Sequence, residues 1–392
     1  MATVEIVTDA QRWMAVQDQW NTAVESAGAG IFLAHQWLFP WWTHTRDTDE
    51  VQRHLRICLV WDQDRLLGIA PFFLERRFRW KFEVERCLRL LGNGGDSNRH
   101  DLVAIPGHEA EVGELVAEEV LRHRFADSVY LWDVPKDSPT VGHFLALMKG
   151  HNAAVLEDWS EQRFVTLVPP SFEEFLAGLY KQRRREFRRA AEECDRLGVT
   201  VEVASRPGQA FEAAMDALFD LHIRRWDAAG QRNNAFCEEG SRERTLALAR
   251  SLHEHGQAHL VLLRQGVQAI AARLSFFDHR TQTAYGQLCA HDLTWNPFAP
   301  GTFLFMTVFR DVVDAGLNRY DHGWGEQEYK KRYKPIVAEP HWWLRVKPSA
   351  RHVRPFATLL DGLRSTRRKL APTSRSARAP VTVGADSADA DA

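Results

Sequence analysis

Cysteine is scarce and unpaired along the chain: the five in 392 residues, Cys58, Cys87, Cys194, Cys237 and Cys289, form no C-x-x-C motif. That scatter predicts a reduced compartment with buried thiols in preference to disulfides. No apolar run reaches the roughly 20 residues that cross a bilayer, and no basic-then-apolar leader opens the chain. No integral membrane segment is therefore expected, and a cytoplasmic location is. An excess of charge of one sign is missing too. Fifty Lys and Arg face 52 Asp and Glu, a net charge of -2, so nothing draws the whole molecule toward DNA or an anionic membrane. His253, His255 and His259 are close in sequence but lack the carboxylate-supported i, i+4 arrangement of a helical zinc site, and no metal is expected.

What is present is ordinary globular material, 45% hydrophobic and 26% charged, enough for two full cores. One hairpin pattern occurs twice. Residues 55–61, the turn Asp62-Gln63-Asp64 and residues 66–74 form the first copy. Residues 259–263, the turn Arg264-Gln265-Gly266 and residues 267–277 form the second. Each is followed by a helix, at 109–124 or 302–315, and then by a short strand, at 129–134 or 318–322. Such repetition argues for duplication of one α/β unit. The boundary is expected within 157–170, where Pro169-Pro170 breaks the pattern before Ser171 caps a new helix with Glu174 three residues on.

That helix, expected over 172–197, is amphipathic. Phe172, Phe175, Leu176, Leu179, Phe187, Ala190, Ala191, Cys194 and Leu197 recur at helical spacing, and Lys181, Arg183, Arg184, Arg185, Arg188 and Arg189 crowd the remaining surface. Six cations so close repel one another. Either Glu186, Glu192 and Glu193 relieve them on a solvated face, or the helix meets a phosphate or an acceptor, with Arg183, Arg184 and Arg188 as the binding candidates. Beyond residue 351 apolar periodicity fades apart from 356–363, and the Arg-, Ser-, Ala- and Asp-rich remainder is expected to be a disordered tail.

The densest information lies between Asn296 and Tyr333. Pro300-Gly301-Thr302 opens an apolar helix, and a helix start carries unpaired amides and partial positive charge that suit a phosphate. Gly301 lets a ligand approach the backbone there. A short strand Tyr320-Asp321-His322 follows, then Gly323 and Gly325. A second expected helix sets Glu326, Tyr329, Lys330 and Tyr333 on one face.

Here the chain resembles the CelD-like branch of the GNAT acyltransferases, associated with cellulose and exopolysaccharide loci. The stretches that carry the resemblance are "PGT", "YDHGWGEQEYKKRY", "LYKQRRREFRRAAEECDRLG" and the amino-terminal "IFLAHQWLFPWW". It covers roughly residues 1–350. The resemblance implies an α/β (α+β) fold of two tandem GNAT-like domains, each a mixed, mostly antiparallel sheet flanked by helices. Residues 1–165 would form the first, 166–350 the second, and 351–392 the tail. It implies an acyl group passing from acetyl-CoA or another acyl-CoA to an amine or hydroxyl acceptor, a small molecule or a glycan or lipid precursor of polysaccharide or cell-envelope metabolism. Asn296, Pro300, Gly301 and Thr302 would hold the donor pyrophosphate, and backbone N–H groups near 286–290 would polarise the thioester carbonyl. Asp321, His322 and Glu326 are the candidates for proton removal, Tyr329 for protonating the thiolate, and Lys330 for meeting an acceptor phosphate or carboxylate. One departure stands out: the glycine-rich loop Arg/Gln-x-x-Gly-x-Gly/Ala is replaced by Asn296-Pro297-Phe298-Ala299-Pro300-Gly301-Thr302, which implies a shallower phosphate cradle.

The first domain looks catalytically silent. Its loop 90–101 leads into a strand rather than a Pro-Gly-Thr helix, and Leu131-Trp132-Asp133 stands where Tyr320-Asp321-His322 stands in the second. Trp37, Trp41 and Trp42 are expected to anchor an N-terminal helix in its core. Two alternatives stay open: a Fem-like transferase taking an aminoacyl group from tRNA, with 181–189 as the RNA contact, and a non-catalytic scaffold of polysaccharide synthesis.

Overall fold

A computed structural model describes residues 2–93, 99–205, 210–228, 236, 239–323, 325, 328–333 and 336–348. The chain divides into two compact units, Met1–Glu161 joined by the described residues from Pro340 on, and Gln162–Glu339.

In the first unit, β1 (Thr3–Val7), α1 (Ala10–Ala15), α2 (Gln17–Ser26) and α3 (His35–Thr43) are followed by β2 (Val51–Leu55), β3 (Ile57–Asp62), β4 (Arg65–Ala70), β5 (Phe72–Arg79), β6 (Phe82–Leu90) and β7 (Val103–Ala104). Then come α4 (Glu109–His123), β8 (Ser128–Pro135) and α5 (Pro139–Gly150). One sheet runs β1-β3-β4-β7. Pro71, which cannot donate to a ladder, separates β4 from β5. From there β5 carries the chain into an antiparallel set with β2 and β6. The aromatic-rich start of the chain fills the core: Trp13, Trp20, Trp37 and Trp41 are buried, and the Trp20 Nε1 donates to the Leu33 carbonyl at 2.8 Å.

The second unit is entered through β9 (Ala154–Leu167), followed by α6 (Phe172–Gly178), α7 (Lys181–Arg196), β10 (Val199–Val203), α8 (Phe211–Ala228) and α9 (Ser241–Glu254). After these come β11 (Ala258–Gln265), β12 (Gln268–Asp278), β13 (Thr283–His291), α10 (Pro300–Asp314) and β14 (Arg319–Asp321). Strand β15 (Ile336–Lys347) leads back to the first unit, where it pairs antiparallel with β8. Strands β10 to β13 form an antiparallel meander, β13 pairs parallel with β14, and β14 pairs antiparallel with the end of β9. Leu304, Phe305, Val308, Phe309 and Val312 recur at helical spacing along α10 and are buried against the sheet and α6, with Phe309 stacked 3.8 Å from Phe175.

The repeat seen in the sequence has a structural counterpart. In each unit an antiparallel run ends in a parallel pair three residues long, Cys87–Arg89 on Ser128–Tyr130 and Thr283–Tyr285 on Arg319–Asp321. In each, one more antiparallel strand closes that side: β15 on β8, and β9 on β14. Both units are mixed, mostly antiparallel sheets with flanking helices.

Two sequence expectations change. The helix read over 172–197 is two helices, because Leu179 is extended (φ -73°, ψ 152°) and turns its side chain into the core. The Arg184 guanidinium then closes the end of α6, donating to the carbonyls of Ala177 (2.9 Å) and Leu179 (2.7 Å). The expected cap holds: the Ser171 hydroxyl accepts from the Glu174 amide. In place of the helix expected to carry Glu326 through Tyr333, the described residues form one 3-10 turn, Glu328–Arg332. The 351–392 segment, Glu326, Cys237 and residues 94–98 lie outside the described residues. Cys58, Cys87 and Cys194 are buried free thiols, and burial pushes Cys58 up to about 12.

Candidate active site

The site is built where β13 and β14 part. Their parallel pairing ends at Tyr285 and Asp321, while β13 continues to His291. Beyond that point no strand among the described residues pairs with β13 on the β14 side. Two glycines face each other at the fork. A Cβ on Gly323, whose φ is +74°, would lie 2.9 Å from the Gly286 carbonyl oxygen, and one on Gly286 would lie 2.9 Å from both the Arg273 Nη2 and the Tyr320 hydroxyl. Only residues without side chains fit that approach.

The freed end of β13 leads straight to the start of α10. Ala299 adopts the left-handed conformation (φ 49°) as N-cap, and Pro300 occupies the first turn without an N–H. The amides of Thr302 and Phe303 bond the Ala299 carbonyl at 3.1 and 3.2 Å, so Gly301 supplies the amide of this turn that Ala299 does not take. The His291 Nε2 is 2.8 Å from the Asn296 Oδ1, and its ring lies 3.6 Å from where a Gly301 Cβ would be. Asn296, Pro300, Gly301 and Thr302 are thus brought together at the strand end, with His291, absent from the sequence reading, joining the strand to the helix start. Helix α7 packs against α10 and against the Leu293–Phe298 turn that precedes it. Of its three candidate arginines, Arg183 is ion-paired with Glu186, Arg184 closes α6 as described, and Arg188 is exposed.

Behind the fork lies a buried polar network. Asp321 is fully buried, and its Oδ1 accepts from the Gly323 amide at 2.8 Å, which fixes the turn after β14. Lys330 is also fully buried. Its ammonium donates to the carbonyls of Gly323 (3.1 Å) and Gly325 (2.9 Å), tying the 3-10 turn to the fork rather than reaching solvent. Lys330, the sequence candidate for meeting an acceptor phosphate or carboxylate, thus has its ammonium engaged by the main chain of the fork. The backbone of Tyr329 lies in the same turn; its side chain and Glu326 lie outside the described residues.

His322, the next residue after the parallel pair, stacks with Phe305 and Tyr333. The Thr166 hydroxyl sits 2.7 Å from His322 Nε2 and donates its single hydrogen to the Tyr333 carbonyl at 2.9 Å. Thr166 must then accept from the imidazole, which places the proton on Nε2 and leaves the Nδ1 lone pair bare. Nδ1 is buried and has no hydrogen-bond partner. Burial, with the nearby Lys330 and Arg273 charges, holds this histidine well below its ordinary 6.5, so the ring is neutral at pH 7. The Arg273 Nε donates to the Tyr320 hydroxyl at 2.9 Å and its guanidinium sits 5.3 Å from the centre of the Phe305 ring. Burial raises the Tyr320 phenol against the opposing pull of Arg273. Thr166 and Arg273 escape the sequence reading, and Tyr320 is read there only as a strand residue, because their partners lie 47 or more positions away.

The three histidines weighed for a metal have other company. His253 stacks on Phe211, His255 Nδ1 meets the Ser251 carbonyl at 2.7 Å, and His259 Nε2 pairs with Asp311 at 2.9 Å. No helix among the described residues is long and apolar enough to cross a membrane.

Residues 181–331 match the family described as an acetyltransferase (GNAT) domain. No curated protein matches the sequence. Among solved structures, the chain is similar to FemX, at 14% identity over 88% of this chain and 98% of that one, with a TM-score of 0.61. It also resembles L-PGS from Bacillus licheniformis (12% identity, 89% and 97% covered, TM-score 0.48). A third likeness is to a tandem GNAT protein from the clavulanic acid biosynthesis pathway (11% identity, 88% and 98% covered, TM-score 0.47). The family match places a GNAT-type acetyltransferase domain on residues 181–331, within the second unit. A transferase role for the protein rests on that domain.

Proposed function

We propose that the second unit moves an acyl group from a coenzyme A thioester directly to an amine or hydroxyl acceptor. The observation that carries this reading is the length of β13 that continues past its pairing with β14 and runs into the amide-bearing start of α10. One supplies backbone donors for a developing oxyanion, the other a seat for a phosphate. In the transfer the acceptor's lone pair attacks the thioester carbon, the oxyanion rests on N–H groups within 286–290, the C–S bond breaks, and the thiolate leaves with a proton. Asn296, Gly301 and Thr302 hold the pyrophosphate, with Pro300 setting the helix start and the exposed Arg188 on α7 supplying positive charge beside it.

Asp321 and Lys330 act as positioning residues that hold the Gly323–Gly325 turn against β13. Glu326 and His322 are the candidates for taking the acceptor's proton. Tyr329 returns a proton to the thiolate. Replacing His322 and Glu326 in turn by glutamine separates them, since loss of a positioned base costs about 10² to 10⁴ in rate. Acceptors of polysaccharide or cell-envelope metabolism, and a place in the cytoplasm, extend the resemblance to the CelD-like branch. The first unit is proposed to be catalytically silent: β6 ends at Leu90, one residue past its parallel pair with β8, and so offers no released edge of comparable length.

A Fem-like reading, with an aminoacyl-tRNA donor, draws on the FemX-like fold and the basic surface of α7. Isothermal titration of the full chain distinguishes the readings. Micromolar heat with acetyl-CoA or a longer acyl-CoA supports the first, and a steeply salt-dependent interaction with tRNA supports the second. Silence with both leaves a scaffold. Gly301→Val abolishes acyl-CoA binding while the fold persists, because a side chain there meets His291 only at ordinary contact distance. Retained affinity refutes the phosphate assignment.

A further inference from the structure

The β2-β5-β6 face of the first unit carries a cavity of about 250 Å³ lined by His54, Arg56, Leu74, Arg76, Glu83 and Arg86. The strand register explains why these residues meet. His54 lies directly opposite Leu74, and Arg76 directly opposite Arg86, so these four side chains share one face. Two like charges opposed across a ladder destabilise it unless something anionic intervenes.

Glu83 answers that need only in part. One of its oxygens is 2.8 Å from the Arg76 Nε and 3.6 Å from the Arg86 Nε, the second distance being too long for a hydrogen bond. Asp127 serves Arg86 through the main-chain amide, at 2.9 Å. Three guanidinium groups thus line the cavity against one lining carboxylate. Two of its nitrogens, His54 Nε2 and Arg86 Nε, are buried without a hydrogen-bond partner. Buried unsatisfied donors in a native protein call for a ligand or water. Water would satisfy the two nitrogens and leave the positive excess untouched. An oxyanion satisfies both.

We infer that this cavity is an oxyanion site that takes a phosphate group, held by Arg56, Arg76 and Arg86 with His54 donating from Nε2. Planar guanidinium forks match phosphate oxygens, which makes arginine the fitting residue for the task. The volume lies below that of drug-sized sites, so it suits a phosphate bearing a short substituent. The same hairpin points to one source of that phosphate. At its tip Trp80 and Phe82 are 81% and 74% exposed, with the Arg79 guanidinium 4.8 Å from the Trp80 ring. Amphipathic aromatics flanked by cations suit the headgroup layer of a membrane, so a lipid phosphate and a soluble phosphate ester share the recognising chemistry.

The test titrates full-length protein carrying Gly301→Val, so that the α10 start does not contribute. Probes are inorganic phosphate and glycerol 3-phosphate at constant ionic strength, and vesicles of phosphatidylcholine with and without phosphatidic acid. The expected result is phosphate binding that Arg86→Gln weakens about tenfold or more and that Glu83→Gln strengthens by a similar factor, as the balance of charge around the anion dictates. Binding of the soluble probes identifies a phosphate ester as ligand, and binding of the phosphatidic acid vesicles alone identifies a headgroup. If Arg86→Gln does not fold, Glu83→Gln decides by the same criterion. No binding of phosphate in any form, or binding indifferent to the substitutions that fold, overturns the assignment. Because every residue involved lies in the first unit, the result stands apart from the acyl-transfer reading.

Discussion

Gly323→Ala measures how much the fork between β13 and β14 depends on a missing side chain. Gly323 has φ +74°, a conformation in which a Cβ costs about 1–2 kcal/mol. That Cβ would also stand 2.9 Å from the Gly286 carbonyl oxygen, a backbone atom that cannot swing away. Overpacking of this kind adds about 1–3 kcal/mol. The expected loss is therefore about 2–5 kcal/mol. Gly316, which ends α10, provides the control: its φ is +71° and nothing lies within 4 Å of its Cβ position, so Gly316→Ala should lose only the conformational part. Urea denaturation of both full-length variants, with unchanged slopes, gives the difference directly. Acyl transfer assayed alongside should fall for Gly323→Ala, which forces the strands to shift at the site, and hold for Gly316→Ala. Equal destabilisation of the two variants would refute the close approach and with it the account of the fork.

Lys330→Met removes an ammonium that donates to two buried carbonyls and is expected to destabilise the protein by about 3–6 kcal/mol, since hydrogen bonds to charged groups contribute about 1.5–3 kcal/mol each. Wild-type stability combined with a raised acceptor KM would show that Lys330 meets substrate instead. In the first unit His35 is buried between Trp13 and Phe39 with Nε2 unpartnered, and burial pulls it from 6.5 down to about 4. The unfolded chain takes up the proton first as pH falls, so the stability due to the neutral ring is complete above 6.5 and is lost between 6.5 and 4. From pH 7.5 to pH 5 that amounts to about 2 kcal/mol. A His35→Phe variant whose denaturation midpoint falls as steeply over this interval would sink the assignment.

Local signals carried the repeat and the site's outline. Alternating apolar runs around short polar turns placed both hairpins, Ser171 and Glu174 placed the start of α6, and Pro300-Gly301 placed α10. Each depends on residues a few positions apart, the range over which sequence speaks plainly. The break at Leu179 was hidden because the helical period continues through it. Only the tertiary pull of the core on Leu179, and the reach of Arg184 back to two carbonyls, reveal it. Lys330 reads from the sequence as a helix residue meeting an acceptor, and the main-chain contacts of its ammonium are not visible there. Its burial follows from carbonyls set by two glycines, which leave no hydrophobic pattern behind. His322 reads from the sequence as a candidate base, and its tautomer is legible only with Thr166, 156 positions earlier, beside it.

The way the chain leaves the first unit at Glu161 and rejoins it at Pro340 has a consequence for biosynthesis. Strand β8 is translated long before β15, the neighbour that covers one of its sides. At elongation rates of about 5–20 residues per second, that side waits on the order of ten seconds or more for its partner. A nascent polypeptide stalled in this window presents an open strand edge, the kind that invites pairing with another copy. Ribosome pausing or premature termination within the inserted segment should therefore yield aggregates seeded by the amino-terminal portion, even though the inserted segment itself is contiguous and can complete its own sheet first.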